Sequence, residues 1–380
     1  MNQPIRVLQI VGRMDRGGIE SFVMNLYRNI DRDRVQFDFL AHYGKEAEYN
    51  DEIRSMGGKI YEMPAIRNEK HVYYWKALSY ICALNSFFKE HHYSILHGQM
   101  TNTASIYMPI AEKNGVATRI AHSHTSHGKE GILGLATNVL QISTYKYATD
   151  YFACSEKAAK FLFPKSLLKN DKVKIIPNAI DSARFRYNED IRQKVRSDLG
   201  ITNKMVIGAI GRFRKEKNQI FLPEVLKEVL AIEPNAILLF IGDGPLEDEV
   251  KQKANELGVA NNTVFLGSRS NVADYMQAID VMAMPSIFEG LPVVGIEAQA
   301  AGLPIVASKG ITQEMNILGL VDFLSLEEDK KYWAEEIVEK AQKKRKDTYS
   351  EIKAAGYDIK ETASMIQDFY IRKYSNSVGK

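Results

Sequence analysis

The sequence predicts an α/β protein built from two successive Rossmann-like domains, each around a parallel sheet. Three observations lead there. Short β-branched runs alternate with longer amphipathic stretches, the pattern of parallel α/β domains. The alternation breaks once, in "KVKIIPNAIDSARFRYNEDIRQKVRSDLGIT", and then restarts at "MVIGAIG". A chain of 380 residues also exceeds one ordinary core and suits two domains of roughly 150 to 200 residues each.

In the first half, "RVLQIV", "VQFDFLA", "GKIYEM", "YSILHG", "TRIAHSH" and "DYFACS" read as strands. Between them, "IESFVMNLYRNI", "HVYYWKALSYICALNSFFKEHH", "TASIYMPIAEKNG" and "SEKAAKFLF" read as helices, the last capped by Ser155. The interrupting segment, with Pro177, turn residues and an isolated charged helix, is read as the domain linker. In the second half, "MVIGAIG", "AILLFIG", "TVFLG", "DVMAMPS", "PIVAS" and "VDFLSL" read as strands with helices between them. Several of these strands end in Gly or Ser, at the carboxyl edge where open α/β sheets bind ligands. The last helix, about Ile359 to Tyr374, is amphipathic and exceeds what the second sheet needs, so it is expected to cross back to the first domain. No short-period repeat or low-complexity segment is present.

Composition narrows the function. The apolar fraction of 45% and charged fraction of 26% are those of a folded protein, which excludes disorder. Residues 1–180 hold 23 Lys and Arg against 17 Asp and Glu, whereas 181–380 hold 27 against 30, so the first half is basic. No basic face or motif is concentrated enough for nucleic acid. Two cysteines, Cys82 and Cys154, make no disulfide framework and fit a reducing cytoplasm. No apolar run reaches the roughly 18 residues of a membrane span, and no signal-peptide core follows "MNQPIR". The expectation is a cytoplasmic protein. Peripheral contact with the inner membrane face is left open by "KAAKFLFPKSLLKNDKVK", which mixes Lys with Phe and Leu and otherwise reads as a solvated helix.

The chemistry begins at "VGRMDRGGIES". Gly12 and Gly17 have the spacing of a Walker loop, but Gly18 and Ile19 stand where Lys and Ser or Thr belong. A cation for any phosphate must come from elsewhere. "GAIGRFRKEKNQ" offers one: Arg212 follows a strand end, and Lys217 comes five residues later, near the expected start of a helix. The competing reading is a solvated basic turn. "PSIFEGLPVVGIEAQAAGLP" places Glu289 in the loop after a strand; Gly290 and Pro292 then open a helix whose second turn carries Glu297. A carboxylate inside an apolar helix is costly unless something accepts it, and hydroxyls suit. The amides near Leu291, Val293 and Val294 would face an anion.

His122 and His124 lie two apart in a strand and share a face, with His127 following. Their spacing admits a metal site, though no carboxylate or cysteine accompanies them, ordinary hydrogen-bonded strand-end histidines, or an active-site role in which either His122 or His124 serves. "DRD" at Asp31 to Asp33 imitates a metal-binding pair but sits between a helix and a strand, as a solvated turn would. "GDGPLE" lacks the third glycine of a dinucleotide fingerprint, and the aromatic run after His71 reads as core.

Taken together, "IPNAID", "GRFRKEKN", "GDGPLEDEV", "VFLG" and "FEGLPVVGIEA", which follow one another along the chain in that family's order, resemble the retaining GT-B glycosyltransferases of glycosyltransferase family 4. "HSH" and "FLSLEEDKKYWAEEI" further resemble bacterial members that build capsular and extracellular polysaccharide. The resemblance implies two Rossmann-like domains facing a central cleft. Residues 1–178, with the helix 359–380, would form the acceptor domain, and 179–358 the donor domain. It implies a metal-independent hexosyltransferase without cofactor, using a nucleotide-sugar, with uridine the commonest base, and a glycan or lipid-linked glycan acceptor. Arg212 and Lys217 would neutralise the diphosphate, Gly17 and Gly18 would let backbone approach it, and Glu297 would hold the ribose. Glu289 and His124 would attend the transferring sugar, Gly242 and Gly244 would wall the nucleotide, and Ser268 and Arg269 would read the base. One departure stands out: where the family often has Gly-Gly-x-x-Glu, this chain reads "KGITQEMNIL", with Gly310 and Glu314 only. An epimerase or hydrolase of the same fold and a non-catalytic nucleotide-sugar-binding subunit are the alternatives.

Overall fold

The computed structural model describes residues 3–15, 17–42, 46–64, 74–101, 103–124 and 144–378. The chain divides into two compact units, Met1–Ala179 with Ile359–Lys380, and Ile180–Asp358. Each is an α/β domain around one parallel sheet.

The first sheet contains β1 (Ile5–Val11), β2 (Val35–Ala41), β3 (Ile60–Glu62), β4 (Ile95–Gly98), β5 (Thr118–Ser123), β6 (Asp150–Ala153) and β7 (Val173–Ile175). Their spatial order is β3-β2-β1-β4-β5-β6-β7, all parallel. Helices cover both faces, so every residue of β2 is buried, Gln36 and Asp38 included. Alternate residues serve separate cores: Val7 and Val11 pack with Phe22, Phe37 and Tyr370, while Leu8 and Ile10 pack with Tyr80 and Tyr107. The C-terminal helix, Ile359–Val378, buries Ile359, Ala363, Ile366 and Tyr370, one stripe at helical spacing, against the first of these cores. It therefore belongs to the first unit, as its amphipathic pattern led us to expect.

The second sheet contains β8 (Met205–Ile210), β9 (Ala236–Ile241), β10 (Thr263–Phe265), β11 (Val281–Met284), β12 (Ile305–Ser308) and β13 (Val321–Leu324), in the order β10-β9-β8-β11-β12-β13. The strand order reverses between β8 and β11. Parallel α/β sheets bind ligands outside the carboxyl ends of their strands at such a reversal.

Two expectations need correction. The segment read wholly as linker contributes β7, three residues at the sheet edge paired to Tyr151–Ala153. Lys174 and Ile175 in it are exposed, so no hydrophobic run announces the strand. Lys217 does not open a helix. It ends a 3-10 turn, Lys215–Lys217; Asn218 follows in the left-handed conformation at φ 53°, and the helix starts at Leu222. A Cβ costs little in that region for Asn, whose side chain here donates to the Pro285 carbonyl at 3.1 Å. The helix dipole therefore does not act on Lys217. The other elements follow the sequence pattern closely: Ser155 caps the helix Glu156–Leu162 by accepting from the Ala158 amide at 3.2 Å, and Asn188 caps the charged helix Glu189–Asp198.

Candidate functional site

In the second unit, the loops after β8 and β11 meet across the reversal of strand order. The Ile287 amide donates to the Glu216 carbonyl at 2.8 Å, and Asn218 reaches Pro285. Between them Lys217 Nζ lies 2.5 Å from Glu289 Oε2, with both side chains largely withdrawn from solvent at 25% and 12% exposure. Ser286 Oγ donates to the other carboxylate oxygen of Glu289. The backbone of Glu289 is held as well, donating to the Gly310 carbonyl at 3.1 Å and accepting from Thr312. The single glycine in "KGITQE" is sufficient for this contact. A Cβ on Gly310 would fall 2.1 Å from the Ile287 carbonyl oxygen, so the strand-end loops close only with glycine there.

Arg212 sits at the same edge but is 61% exposed, and the charged group paired with it among the described residues, Asp243, is 3.7 Å away and 56% exposed. An exposed pair of this kind is worth little, so the guanidinium is free to meet an anion. Gly242 and Gly244 follow β9 with φ of 141° and 152°. Cβ atoms on them would fall 2.2 Å from the Gly211 carbonyl oxygen and 2.5 Å from that of Phe213, so both glycines let the β8 and β9 loops touch. Ser268 and Arg269 are exposed just past β10, with Arg269 over the Tyr275 ring. Gly290 has open space where a Cβ would stand. Leu291, Val293 and Val294 surround the start of the helix Val293–Ala300, whose cap residue, Pro292, supplies no side-chain hydrogen bond. Its first amides are thus available to a ligand.

Glu297 lies one turn further on, partly buried, and its carboxylate makes no hydrogen bond or ion pair among the described residues. Burial pushes its carboxyl up to about 7, against a smaller opposing pull from Arg184, which itself donates to the Ser270 carbonyl. A carboxylate kept short of partners and poised near neutrality is suited to accept hydrogen bonds from a pair of hydroxyls. Sequence reasoning passed over Ser286, Asn218 and Arg184; only their positions beside motif residues hint at them.

In the first unit, Gly17 is the N-cap of the helix Gly18–Asn29, with no side-chain cap bond, and beyond its own helix backbone and chain neighbours a Cβ placed on Gly18 meets nothing within 4 Å. Arg13 of the same loop is engaged, 3.0 Å from Asp15 and donating to the Glu46 carbonyl; Arg16 lies outside the described residues. His124 follows β5. Its Nε2 meets Gln99 Oε1 at 2.7 Å, and burial pushes the ring down to about 4. Asn178 offsets part of that drop, although its Oδ1 and His124 Nδ1 have no hydrogen-bond partner of good geometry. The His122 and His124 rings lie with centroids 4.1 Å apart and planes tilted by 30°. His127 lies outside the described residues. No group of three or more His, Cys, Asp or Glu side chains placed to hold a metal occurs among the described residues. Asp31 and Asp33 form a turn in which Asp31 Oδ1 accepts from the Asp33 amide.

The elevated Glu297 pKa has a thermodynamic sign that can be checked. Between the ordinary carboxylate value of 4.5 and about 7, the folded protein holds a proton that the unfolded chain has lost, so stability falls as pH rises through that window. Glu297→Gln removes this dependence. Urea unfolding should show wild type losing about 1 to 2 kcal/mol relative to the variant between acid and mildly alkaline pH, the full linkage being reduced by partial solvent access. Parallel pH profiles would contradict it.

Comparison with known proteins identifies the family. Residues 191–354 match the family Glycosyl transferases group 1, and residues 16–184 match Glycosyltransferase Family 4. The chain is 33% identical over 376 residues to the glycosyltransferase EpsF of Bacillus subtilis, covering 96% of each protein. It is 26% identical over 379 residues to the capsular polysaccharide biosynthesis glycosyltransferase CapH of Staphylococcus aureus, covering 97% of this chain and 99% of that one. The crystal structure of Anabaena HepE in complex with UDP shares the fold at a TM-score of 0.74 and 18% identity, over 97% of this chain and 99% of that one. With both units matched and EpsF aligned along almost its whole length, the chain belongs to the group 1 glycosyltransferases of the GT-B fold, with a family 4 amino-terminal domain.

Proposed function

We propose that this glycosyltransferase moves a hexose from a UDP-sugar to a glycan or lipid-linked glycan during assembly of a cell-surface polysaccharide, with retention of anomeric configuration and without a metal. The observation that carries the reading is the meeting of Lys217 and Glu289 at the reversal of the second sheet, beside the unpartnered Glu297. UDP in HepE and the capsular role in CapH's name support the donor and the pathway class.

The chain's own groups suffice for the chemistry. As the bond from the anomeric carbon to the diphosphate oxygen breaks, negative charge grows on the leaving group and positive charge on the sugar. Lys217, Arg212 and the amides opening the helix Val293–Ala300 stabilise the first. Glu297 holds the ribose hydroxyls. Glu289, fixed by Lys217 and Ser286, accepts from hydroxyls of the transferring sugar. The acceptor oxygen bonds to the same face of the anomeric carbon, and its proton passes to the departing diphosphate. No additional carboxylate is assigned as a covalent nucleophile, so this front-face course is the one the residues favour.

A lipid-linked acceptor would place the protein against an anionic bilayer surface. Lys157, Lys160, Lys165, Lys169, Lys172 and Lys174 are exposed along one stretch of the first unit, while Leu162 and Phe163 between them turn into the core. Each lysine near such a surface contributes about 1 kcal/mol. No helix among the described residues is long and apolar enough to cross a membrane.

Two experiments test the proposal. With UDP-sugars and a glycan acceptor, UDP should appear in step with glycosylated product, excess EDTA should leave the rate unchanged, and Lys217→Ala should lower kcat/KM about 10²- to 10³-fold. UDP release that ignores the acceptor, or an unaffected Lys217→Ala, would refute it. In flotation, the full chain should rise with vesicles containing phosphatidylglycerol and stay down with phosphatidylcholine alone; equal recovery from both would remove the membrane contact.

A further inference from the structure

The second unit opens with a helix of four residues, Ser182–Phe185, held from several sides. The Ile180 amide before it donates to the Tyr357 carbonyl at 2.9 Å, and Ser182 Oγ donates to the Asp358 carboxylate, both side chains being buried. Phe185 enters the core with Met276 and Ile296, and its carbonyl accepts from Gln277 Nε2 at 3.3 Å. Next to these two core residues stand opposite charges: Arg184 precedes Phe185, and Glu297 follows Ile296. The short helix packs on both Val293–Ala300, which carries Glu297, and Val272–Ala278. Arg184 is exposed, and its guanidinium donates to the Ser270 carbonyl at 2.8 Å, in the loop between β10 and the helix Val272–Ala278. Its remaining N–H groups make no hydrogen bond or ion pair among the described residues.

We propose that Arg184 is a positioning residue of the nucleotide site, whose guanidinium, anchored on the Ser270 carbonyl, keeps Glu297 in the ionised form that a ribose diol requires. The argument is one of charge and stoichiometry. Two adjacent hydroxyls can each donate to one oxygen of a carboxylate, whereas a neutral carboxyl carries a proton on one oxygen and loses that acceptor. Burial drives Glu297 toward the neutral form and Arg184 pulls it back, leaving the carboxyl at about 7. Near neutral pH such a group is close to half ionised, the point at which a neighbouring charge changes its state most. Tyr349, Glu351 and Lys353 on the helix Tyr349–Ala354 and Glu314 on the 3-10 turn Gln313–Met315 also stand on elements packed against the Glu297 helix, and the Lys217–Glu289 pair lies before it. The charge that bears on the Glu297 carboxyl is that of Arg184. A planar guanidinium suits both tasks, holding Ser270 through one N–H while its charge stays spread over the whole group. The same cation thus joins the loop of Ser268 and Arg269 to the carboxylate one helix away.

The ribose part of this proposal rests on the nucleotide-sugar reading above; the coupling of Arg184 to Glu297 does not. Full-length protein labelled with ¹³C at the glutamate carboxyls reports the Glu297 titration, assigned by its loss in Glu297→Gln. Arg184→Gln should raise that midpoint by about 0.5 in pH, the exposure of Arg184 limiting the size, and Arg184→Lys should keep it near the wild-type position. A midpoint that Arg184→Gln leaves unmoved overturns the coupling, whatever the protein binds. UDP affinity, measured by calorimetry between about pH 6.5 and about pH 9, reads the consequence. Below the midpoint Arg184→Gln should bind UDP about threefold more weakly than wild type, the gap should close toward alkaline pH, and Arg184→Lys should restore most of it. A gap of the same size at every pH is what loop damage alone would give, and it overturns the positioning role. A raised midpoint in protein that binds no UDP in any form overturns the ribose part and leaves the coupling standing.

Discussion

The contact between Lys217 and Glu289 is the constraint around which the second domain's functional edge is arranged. It joins the ends of two strands that neighbour each other where the sheet reverses direction of growth, so two loops 72 residues apart in sequence become one surface. Largely removed from water, an ion pair contributes little net stability unless its remaining lone pairs and protons are satisfied. Here Ser286 occupies one carboxylate oxygen, Gly310 holds the backbone, and the ammonium retains protons for a second anion. On the proposed reading the pair is a positioned, partly unsatisfied ligand-binding device rather than a stabilising bridge. Glu297 extends the same logic: a carboxyl among apolar neighbours costs stability, and the cost is concentrated where hydroxyls would relieve it.

The first domain solves a different problem. Its sheet carries polar Gln9, His97, Gln99, His122 and His124, and hydrogen bonds join them end to end through Tyr370 of the C-terminal helix. Tyr370 closes the line from 361 residues away from Gln9, which explains why the last helix belongs to this unit: without it, Gln9 and His97 would each lose a buried partner.

How much of this was legible in the sequence depended on the distance over which each interaction acts. Strands such as Ala236–Ile241 were readable because burial on both faces demands an unbroken apolar run. β7 was not, since an edge strand of three residues with two of them exposed has no such demand placed on it. The position of Lys217 was misread for a local reason: "KEKNQIF" looks like a helix start, but Asn218 tolerates the left-handed turn that delays the helix to Leu222. "KGITQE" looked short of a glycine, whereas the geometry requires only the one whose Cβ would strike Ile287. Glu289 and Glu297 stood out as carboxylates in apolar surroundings, yet that Lys217 would seize Glu289 and leave Glu297 bare follows only from the folding of β8 beside β11. The inward polar residues at 95-to-99 and 120-to-124 spacing were visible as an alternation, and His122 and His124 were noticed for it. Their connection through Tyr370 could not be, because the partner lies on the final helix.

The central claim is that one nucleoside diphosphate is held at the reversal of the second sheet by groups this chain supplies itself. A crystal structure of the protein with a UDP-sugar measures that directly. The account predicts phosphate oxygens within hydrogen-bond reach of Lys217 Nζ and the Arg212 guanidinium, with the ribose hydroxyls on Glu297. Phosphates seated away from Lys217, or a ribose that leaves the Glu297 carboxylate untouched, would contradict it.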